Sequence, residues 1–309
     1  RFARAVVPFL HVGSILAAYV LGHRLISRRA GLFTAAMWAL YPHVSEWARV
    51  GDLEIPVAFT FTLASAYFLR AWFDTRSDDR RRYAIIAGLA FGVAMWTKPT
   101  AGAFVWGVCL LVIIDLLRVR FDWRAWWPRF EVAALTGLAC IPLGAVWYIR
   151  NILLGHNAVD FPNPFWLTLA TQSGDLFGWL LLALALLSIG IIITRRRLTT
   201  LALLVVAWGL ILLAVLPSMP WLNPARINPP ASRMIPIEWA LFTAGIVLIG
   251  AVFWRLWHRA GSSARDQAST ISAALIIALP YFVTWFASYS YHARLSFAIV
   301  PLLILPSAA

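Results

Sequence analysis

Charged residues are scarce in this chain, and their scarcity excludes most classes of protein. Of its 309 residues, 13% are charged and 61% are hydrophobic, whereas a soluble domain carries about 25% charged residues. No water-soluble core of this size hides so much apolar surface, so the surrounding solvent must be lipid. The apolar runs are continuous rather than alternating, which argues against a transmembrane β-barrel. The sequence therefore predicts an all-α, polytopic transmembrane helical bundle.

Lysine, cysteine and internal repeats are also rare or missing. Lys98 is the single lysine, and every other basic residue except histidine is arginine. The two cysteines, Cys109 and Cys140, lie inside apolar runs, which predicts small buried side chains. We find no internal repeat, so a transporter built from inverted repeats has no support. We also find no signal peptide, and we expect both ends to lie within a longer protein.

Eleven apolar runs are the candidates for membrane spans. They cover residues 5–22, 31–47, 55–73, 83–97, 101–117, 130–149, 173–194, 199–217, 236–255, 269–288 and 296–309. The last is short, and we expect it to be truncated. The 35 residues of 83–117 would make a single helix of roughly 52 Å, too long for a ~30 Å hydrocarbon core. Pro99 predicts a break between two spans there, because proline cannot continue helical hydrogen bonding.

The net charge of +13 is distributed as in a membrane protein. Of the 26 basic residues, 18 fall in loops on one side of the predicted bundle and eight on the other. The positive-inside rule makes the arginine-rich side cytoplasmic. This distribution argues against a nucleic-acid partner. We predict an integral protein of the bacterial inner (plasma) membrane, with its site facing outside.

The segment Tyr41–Pro56, YPHVSEWARVGDLEIP, is a polar break at the predicted outer surface. Its carboxylates include Asp52 and Glu54, which come just before Pro56 and so suit the first turn of a helix. An ionised carboxylate is what a general base needs to accept a hydroxyl proton. We predict that Asp52 is the base, with Glu54 as the second candidate. The alternative is a solvated turn between two helices.

Several basic and polar residues are predicted on the same outer side. Lys98 follows a helix end and suits a phosphate as a compact charge, with a snorkelling side chain as the alternative. Arg150 and Arg294 are further candidates for binding a donor phosphate, although arginine at a helix end is commonly an interfacial anchor. Candidate acceptor or lid contacts are Arg49, Asn151, Arg226, Arg233 and Tyr291. The proline-rich loop that carries Arg226 and Arg233 is either a lid or a stiff connector.

We recognise no metal-binding motif in the sequence. His156, Asp160 and His292 match no metal-binding spacing. We predict no metal site and no certain cofactor, and a divalent metal stays open.

Four segments, in order, resemble the GT-C superfamily of polyprenyl-phosphate-sugar glycosyltransferases. They are ARVGDLEIPVAFTFTLASAYFLRA, AIIAGLAFGVAMWTKPTAG, PLGAVWYIRNILLGHNAVDFPNPF and SYHARLSFAIVPLLILPSA. The relevant branches are protein mannosyltransferase-like and aminoarabinose transferase-like. The resemblance covers most of 1–170 and returns near 285–309. Within one transmembrane domain, 1–309, it defines a GT-C-like module at 1–170, followed by additional helices at 171–309.

The resemblance implies an inverting enzyme in which a carboxylate activates an acceptor hydroxyl while basic residues hold the leaving lipid phosphate. It places Asp52 at the family's second acidic position and Lys98 at the phosphate-contacting lysine, with Arg150 and Arg294 as looser matches. The expected partners are a polyprenyl-phosphate-linked sugar and a lipid, glycan or protein acceptor. The family's first acidic loop would precede Arg1, because the resemblance begins at its second helix.

Two other functions stay open at this point. The first is a non-catalytic membrane subunit, or a degenerate family member, within a larger complex. The second is a transporter or flippase for a lipid-linked anion. A transporter is expected to carry polar residues at mid-membrane depth. Asp115 is the one carboxylate well inside an apolar run, and it lies near the cytoplasmic end of that run, which counts against transport.

Overall fold

The computed structural model is helical wherever it describes the chain. It describes residues 2–41, 44, 48, 53–73, 77–155, 198–215, 235–259, 262–288 and 296–308. No strand occurs in these ranges. The predicted fold class, an all-α protein, is confirmed for them.

Eleven α-helices can be numbered along the described ranges. They are α1 Phe2–Leu25, α2 Arg28–Ala39, α3 Glu54–Phe73, α4 Ser77–Thr97, α5 Phe104–Arg118, α6 Trp123–Gly144, α7 Val146–Leu153, α8 Leu198–Val215, α9 Pro236–Arg259, α10 Ser262–Ser288 and α11 Val300–Ile304. Two short 3₁₀ helices, Pro99–Ala103 and Leu305–Ala308, precede α5 and follow α11.

Among the described residues, fewer helices are long and apolar enough to span a membrane than the sequence predicts. Within the described residues, Val6–Leu25 and Pro99–Arg118 are long and apolar enough to cross a membrane. The pair α6 and α7, bent by 56°, makes a third if it counts as one span. Shorter apolar helices cover Ala202–Ala214, Pro236–Val252 and Ala268–Phe282. The predicted count of about eleven spans is thus not confirmed, and the span at 173–194 lies outside the described residues.

The predicted break between residues 83 and 117 is confirmed. Helix α4 ends at Thr97, and Lys98 takes an extended backbone conformation, with φ −147° and ψ 115°, before Pro99 starts the 3₁₀ helix. The missing N–H of proline is harmless at a first helical position, where no intrahelical bond is made. Lys98 is therefore fixed at a corner between two helices.

The run at 130–149, predicted as one helix, is instead the end of a longer and bent element. Its helix begins earlier, at Trp123, with the Asp122 carboxylate accepting a hydrogen bond from the Arg124 N–H. The bend separates Gly144 from Val146, two residues after Pro142.

Close contact between α4 and α6 shapes the centre of the bundle. A Cβ added at Gly88 would lie 2.3 Å from the Thr136 carbonyl oxygen, and one at Gly92 would lie 3.0 Å from the Cys140 carbonyl oxygen. Glycines four residues apart let two membrane helices approach backbone to backbone. Cys140 is buried here as predicted, whereas Cys109 is exposed on α5, contrary to prediction.

The last segment, where the sequence predicts a span at 296–309, is a buried and interrupted helix. Its α-helix covers only Val300–Ile304, and Pro301 and Pro306 each lack the N–H that a longer helix would use. The ring of Phe297 packs edge-on against Trp38 and Tyr41, with centroids 5.7 and 5.9 Å apart. This segment therefore fills the core beside α2.

Candidate functional site

A buried ion pair joins Glu54 and Lys98. The Lys98 Nζ donates a hydrogen bond to Glu54 Oε1 over 2.6 Å. The Glu54 side chain is 5% exposed and that of Lys98 is 18% exposed. A charge taken out of water is tolerated when it is paired. The two residues are 44 positions apart, so their pairing is a property of the fold.

The helix ends explain why these two residues meet. Helices α3 and α4 are joined by a short connection and pack side by side, so the first residue of α3 lies near the last residues of α4. Glu54 is in the first turn of α3, where the helix dipole favours a carboxylate. Lys98 directly follows Thr97, the last residue of α4. The site prediction for this corner depended on these two helix boundaries, and both are found.

Helix α7 is fastened to the same corner. The indole N–H of Trp147 donates to the Trp96 carbonyl oxygen over 2.7 Å. The hydroxyl of Tyr148 donates to the Pro99 carbonyl oxygen. These two bonds attach α7 to Trp96 and Pro99, which precede and follow Lys98 in the sequence.

The same helix carries two of the predicted site residues. The exposed guanidinium of Arg150 lies over the Trp147 ring, 5.4 Å from its centroid, and Asn151 is half-buried. Arg150 therefore belongs to the same end of the bundle as Lys98. No hydrogen bond between the two side chains of Arg150 and Lys98 occurs in the part of the chain that the structure describes.

An apolar groove of about 750 Å³ starts at this corner and runs between α5 and α6. Met95, Phe104 and Tyr148 line the end beside the 3₁₀ helix, and Ile113 and Phe130 line the far end. From Phe104 to Ile113 the helix rises about 13 Å, at 1.5 Å per residue. The groove is thus an elongated channel along the helices.

The groove opens sideways, on the lateral surface of the helical bundle. Val105, Ile113 and Ile141 on its rim are exposed. Gly137 lies in its wall, and a Cβ at that position would meet nothing within 4 Å. A groove of this kind admits a hydrocarbon chain from the side.

Three further ion pairs, which share two carboxylates, lie at the other end of the helices. Arg80 and Arg81 bind the two carboxylate oxygens of Glu131, over 3.0 and 2.6 Å. Arg129 pairs with Asp115 and lies over the Trp72 ring. These pairs tie α4 to α6 and α5 to α6, so the carboxylate of Asp115 has a structural partner.

The remaining predicted site residues lie outside the described part of the chain. They are Arg49, Asp52, Arg226, Arg233, Tyr291 and Arg294, together with His156, Asp160 and His292. Among the described residues, no group of three or more histidine, cysteine, aspartate or glutamate side chains is arranged to hold a metal ion.

Sequence reasoning missed two features of this site. It did not foresee the pairing of Glu54 with Lys98, although both were predicted beside helix ends on one surface. It also missed the groove. The one signal was the spacing of small residues in α6, where Ala133, Ala134 and Gly137 recur every three to four positions and leave space on one face.

The helical membrane architecture and the charged corner agree with a membrane glycosyltransferase of the GT-C type, the class indicated by comparison with known families. Residues 2–147 match the model of the family described as dolichyl-phosphate-mannose-protein mannosyltransferase. The predicted resemblance is therefore confirmed over these residues. No curated protein and no solved structure matches the chain. The match includes Glu54, Lys98 and most of the groove, and it indicates glycosyltransferase activity in general.

Proposed function

We propose that this protein moves a sugar from a polyprenyl phosphate to an acceptor on the extracytoplasmic face of the membrane. The observation that carries this proposal is the groove: a long apolar channel that begins at Met95, about one helical turn before the partly buried Lys98. A polyprenyl phosphate is an anion attached to a hydrocarbon chain. A cation next to an elongated apolar groove is complementary to both of its parts.

Lys98 is the proposed contact for the donor phosphate. An ammonium group has three N–H donors, and Glu54 accepts one of them. Glu54 then acts as a positioning residue that holds the lysine at the corner. The cationic Arg150 at the same end of the bundle is proposed as a second phosphate contact, and Arg294 as a third from its place in the sequence.

The hydrocarbon chain of the donor is proposed to lie between α5 and α6. The side chains along this groove are aliphatic, aromatic or small, with few polar groups. Its open rim allows a lipid to enter sideways from the bilayer, and the far end at Phe130 and Ile113 lets a long chain continue along the bundle. Only the first isoprene units need to fit inside.

Asp52 is the proposed general base. It lies two residues before Glu54. Because Glu54 is paired with Lys98, we assign the positioning role to Glu54 and the role of base to Asp52. The base takes the proton of the acceptor hydroxyl while that oxygen attacks the anomeric carbon. The bond from that carbon to the phosphate oxygen breaks, and the polyprenyl phosphate leaves with the electron pair. This single displacement inverts the anomeric carbon.

The acceptor, a lipid, a glycan or a protein, is proposed to approach from outside. Arg49, Asn151, Arg226, Arg233 and Tyr291 are the proposed acceptor or lid contacts. A divalent metal stays open.

The test is to fill the groove without disturbing the bundle. A Gly137→Phe side chain would enter open space in the groove wall, so we expect it to block the lipid chain while leaving the fold intact. The full-length protein, in proteoliposomes with a panel of polyprenyl-phosphate sugars and acceptor membranes, should lose at least tenfold in donor affinity and transfer. A photoactivatable polyprenyl phosphate should label the wild type and not this variant.

Gly250→Phe is the matched control. Gly250 is also a helical glycine whose added Cβ would meet nothing within 4 Å, and it lies outside the groove. It should retain normal transfer and labelling. Equal behaviour of the two variants would refute the groove as the donor site. Groove-dependent labelling without any transfer by the wild type would support the non-catalytic subunit instead.

A further inference from the structure

A second cavity, of about 250 Å³, lies where α1, α3 and α4 meet at their arginine-rich ends. It is at the opposite end of α3 and α4 from Glu54 and Lys98. Neither the proposed transfer reaction nor the apolar groove uses it. Its chemistry therefore needs a separate explanation.

Each of the three helices contributes the same pair of residues to this cavity. Every pair consists of an arginine near the helix end and an apolar residue one turn deeper: Arg24 with Val20, Arg70 with Ala66, and Arg82 with Ile86. Residues four apart lie on the same face of a helix, about one 5.4 Å turn from each other. The cavity is thus cationic at its mouth and aliphatic at its floor.

Two tyrosines complete the wall between α3 and α4. The rings of Tyr67 and Tyr83 lie 5.8 Å apart, and both residues line the cavity. A phenol group combines an apolar ring with a hydroxyl that donates a hydrogen bond. Tyrosine therefore suits a ligand with a polar head and an apolar body.

The charged residues that line the cavity are arginines. Among the described residues, those that line it include three arginines and no carboxylate. Carboxylates lie nearby: Asp78 and Asp79 are in the first turn of α4, about one turn before Arg82, and Glu131 binds Arg80 and Arg81. Three arginines from three helices form the type of cluster that binds phosphate, because guanidinium groups match its geometry and are always charged.

We propose that this cavity binds the phosphate group of an anionic ligand, and that the ligand is an anionic membrane lipid with its headgroup at the arginines. Basic pockets between membrane helices bind such headgroups. The aliphatic floor favours a lipid over a soluble phosphate, because it offers contact to the part of the ligand below the phosphate.

Arginines are common on this side of the chain, so the test must separate the cavity from the surface as a whole. Arg28 and Arg29 provide the matched control. Both are exposed at the start of α2, on the same side of the bundle, and neither lines the cavity. Changing this pair removes the same two charges from the same surface.

The experiment measures lipid retention by the full-length protein, purified in a zwitterionic detergent and exchanged into nanodiscs containing phosphatidylglycerol and phosphatidylcholine. Native mass spectrometry then counts phosphatidylglycerol on the wild type, on Arg24→Gln/Arg82→Gln and on Arg28→Gln/Arg29→Gln. The cavity variant loses charge-assisted hydrogen bonds to the phosphate and should bind the lipid at least about tenfold more weakly. The control variant should retain the lipid.

A third variant, Arg24→Lys/Arg82→Lys, guards against misfolding, since it keeps the charges and should retain most binding. Inorganic phosphate identifies the source of the ligand. Two results together would assign the cavity to a soluble anion and refute a lipid ligand. They are displacement of the lipid by millimolar phosphate and normal phosphate binding by Val20→Phe. Equal loss of lipid in the cavity and control variants would show a general surface effect and overturn the site.

Discussion

The two ends of the antiparallel helices α3 and α4 differ in how their charged side chains are arranged. At one end, one carboxylate and one ammonium form a buried pair, Glu54 with Lys98. At the other end, Arg70 and Arg82 are exposed and line a cavity with Arg24. Arg80 and Arg81 form ion pairs with Glu131. Both ends thus hold paired charges, and the arginine-rich end adds three arginines that line a cavity. The first arrangement suits a site for chemistry, and the second suits recruitment of an anion.

The largest effect is expected at the buried end, on turnover. In the full-length protein, Asp52→Asn should lower kcat by about 10²–10⁴-fold, the usual contribution of a positioned base. Glu54→Gln should act mainly on the KM for the donor, because Glu54 holds Lys98. Steady-state kinetics with varied donor separates the two parameters.

The opposite pattern would exchange the roles of the two acids. A greater loss of kcat in Glu54→Gln than in Asp52→Asn would make Glu54 the base. Full activity in both variants would remove this segment from the mechanism.

The next effect is on stability at the same end. Lys98→Met removes the cation from a buried carboxylate and should lower the free energy of unfolding by about 3 kcal/mol. Denaturant unfolding in detergent micelles, followed by tryptophan fluorescence, measures the change. The double variant Glu54→Gln/Lys98→Met removes both charges and should lose less than Lys98→Met alone. A double variant as unstable as the sum of the single ones would show that the pair is not coupled.

The smallest effect is expected from the corresponding change at the arginine-rich end. Arg81→Gln breaks an ion pair with Glu131 in which the Arg81 side chain is 59% exposed, and exposed pairs contribute about 0–1 kcal/mol. The same unfolding measurement should therefore show a loss of at most about 1 kcal/mol. A loss in Arg81→Gln equal to that in Lys98→Met would end the distinction between the two ends.

Local signals in the sequence were enough for the class of protein and for one corner of the site. Pro99 marked the end of α4, and the position of Glu54 before Pro56 marked the start of α3, because proline restricts the backbone wherever it stands. Those two boundaries brought Glu54 and Lys98 to one surface.

Long-range packing was beyond the same reasoning. The bend after Pro142 and the interrupted segment around Pro301 both contain a proline, yet an apolar run alone did not reveal how the chain would turn. The groove arises where α5 and α6 separate, and no single helix encodes that distance. The role of Asp52 and the contribution of Arg294 rest on the resemblance and stay predictions.

The packing of Phe297 against Trp38 has a consequence for biosynthesis. Roughly 260 residues separate the two rings, and at ribosomal rates of about 5–20 residues per second the second ring emerges on the order of half a minute after the first. In the folded protein the indole N–H of Trp38 donates to the Ser14 hydroxyl, 2.8 Å away in the neighbouring helix. Because both residues are made early, the hairpin of α1 and α2 can satisfy this polar group before the final segment exists. The contact of the Trp38 ring with Phe297 forms only when translation reaches that segment.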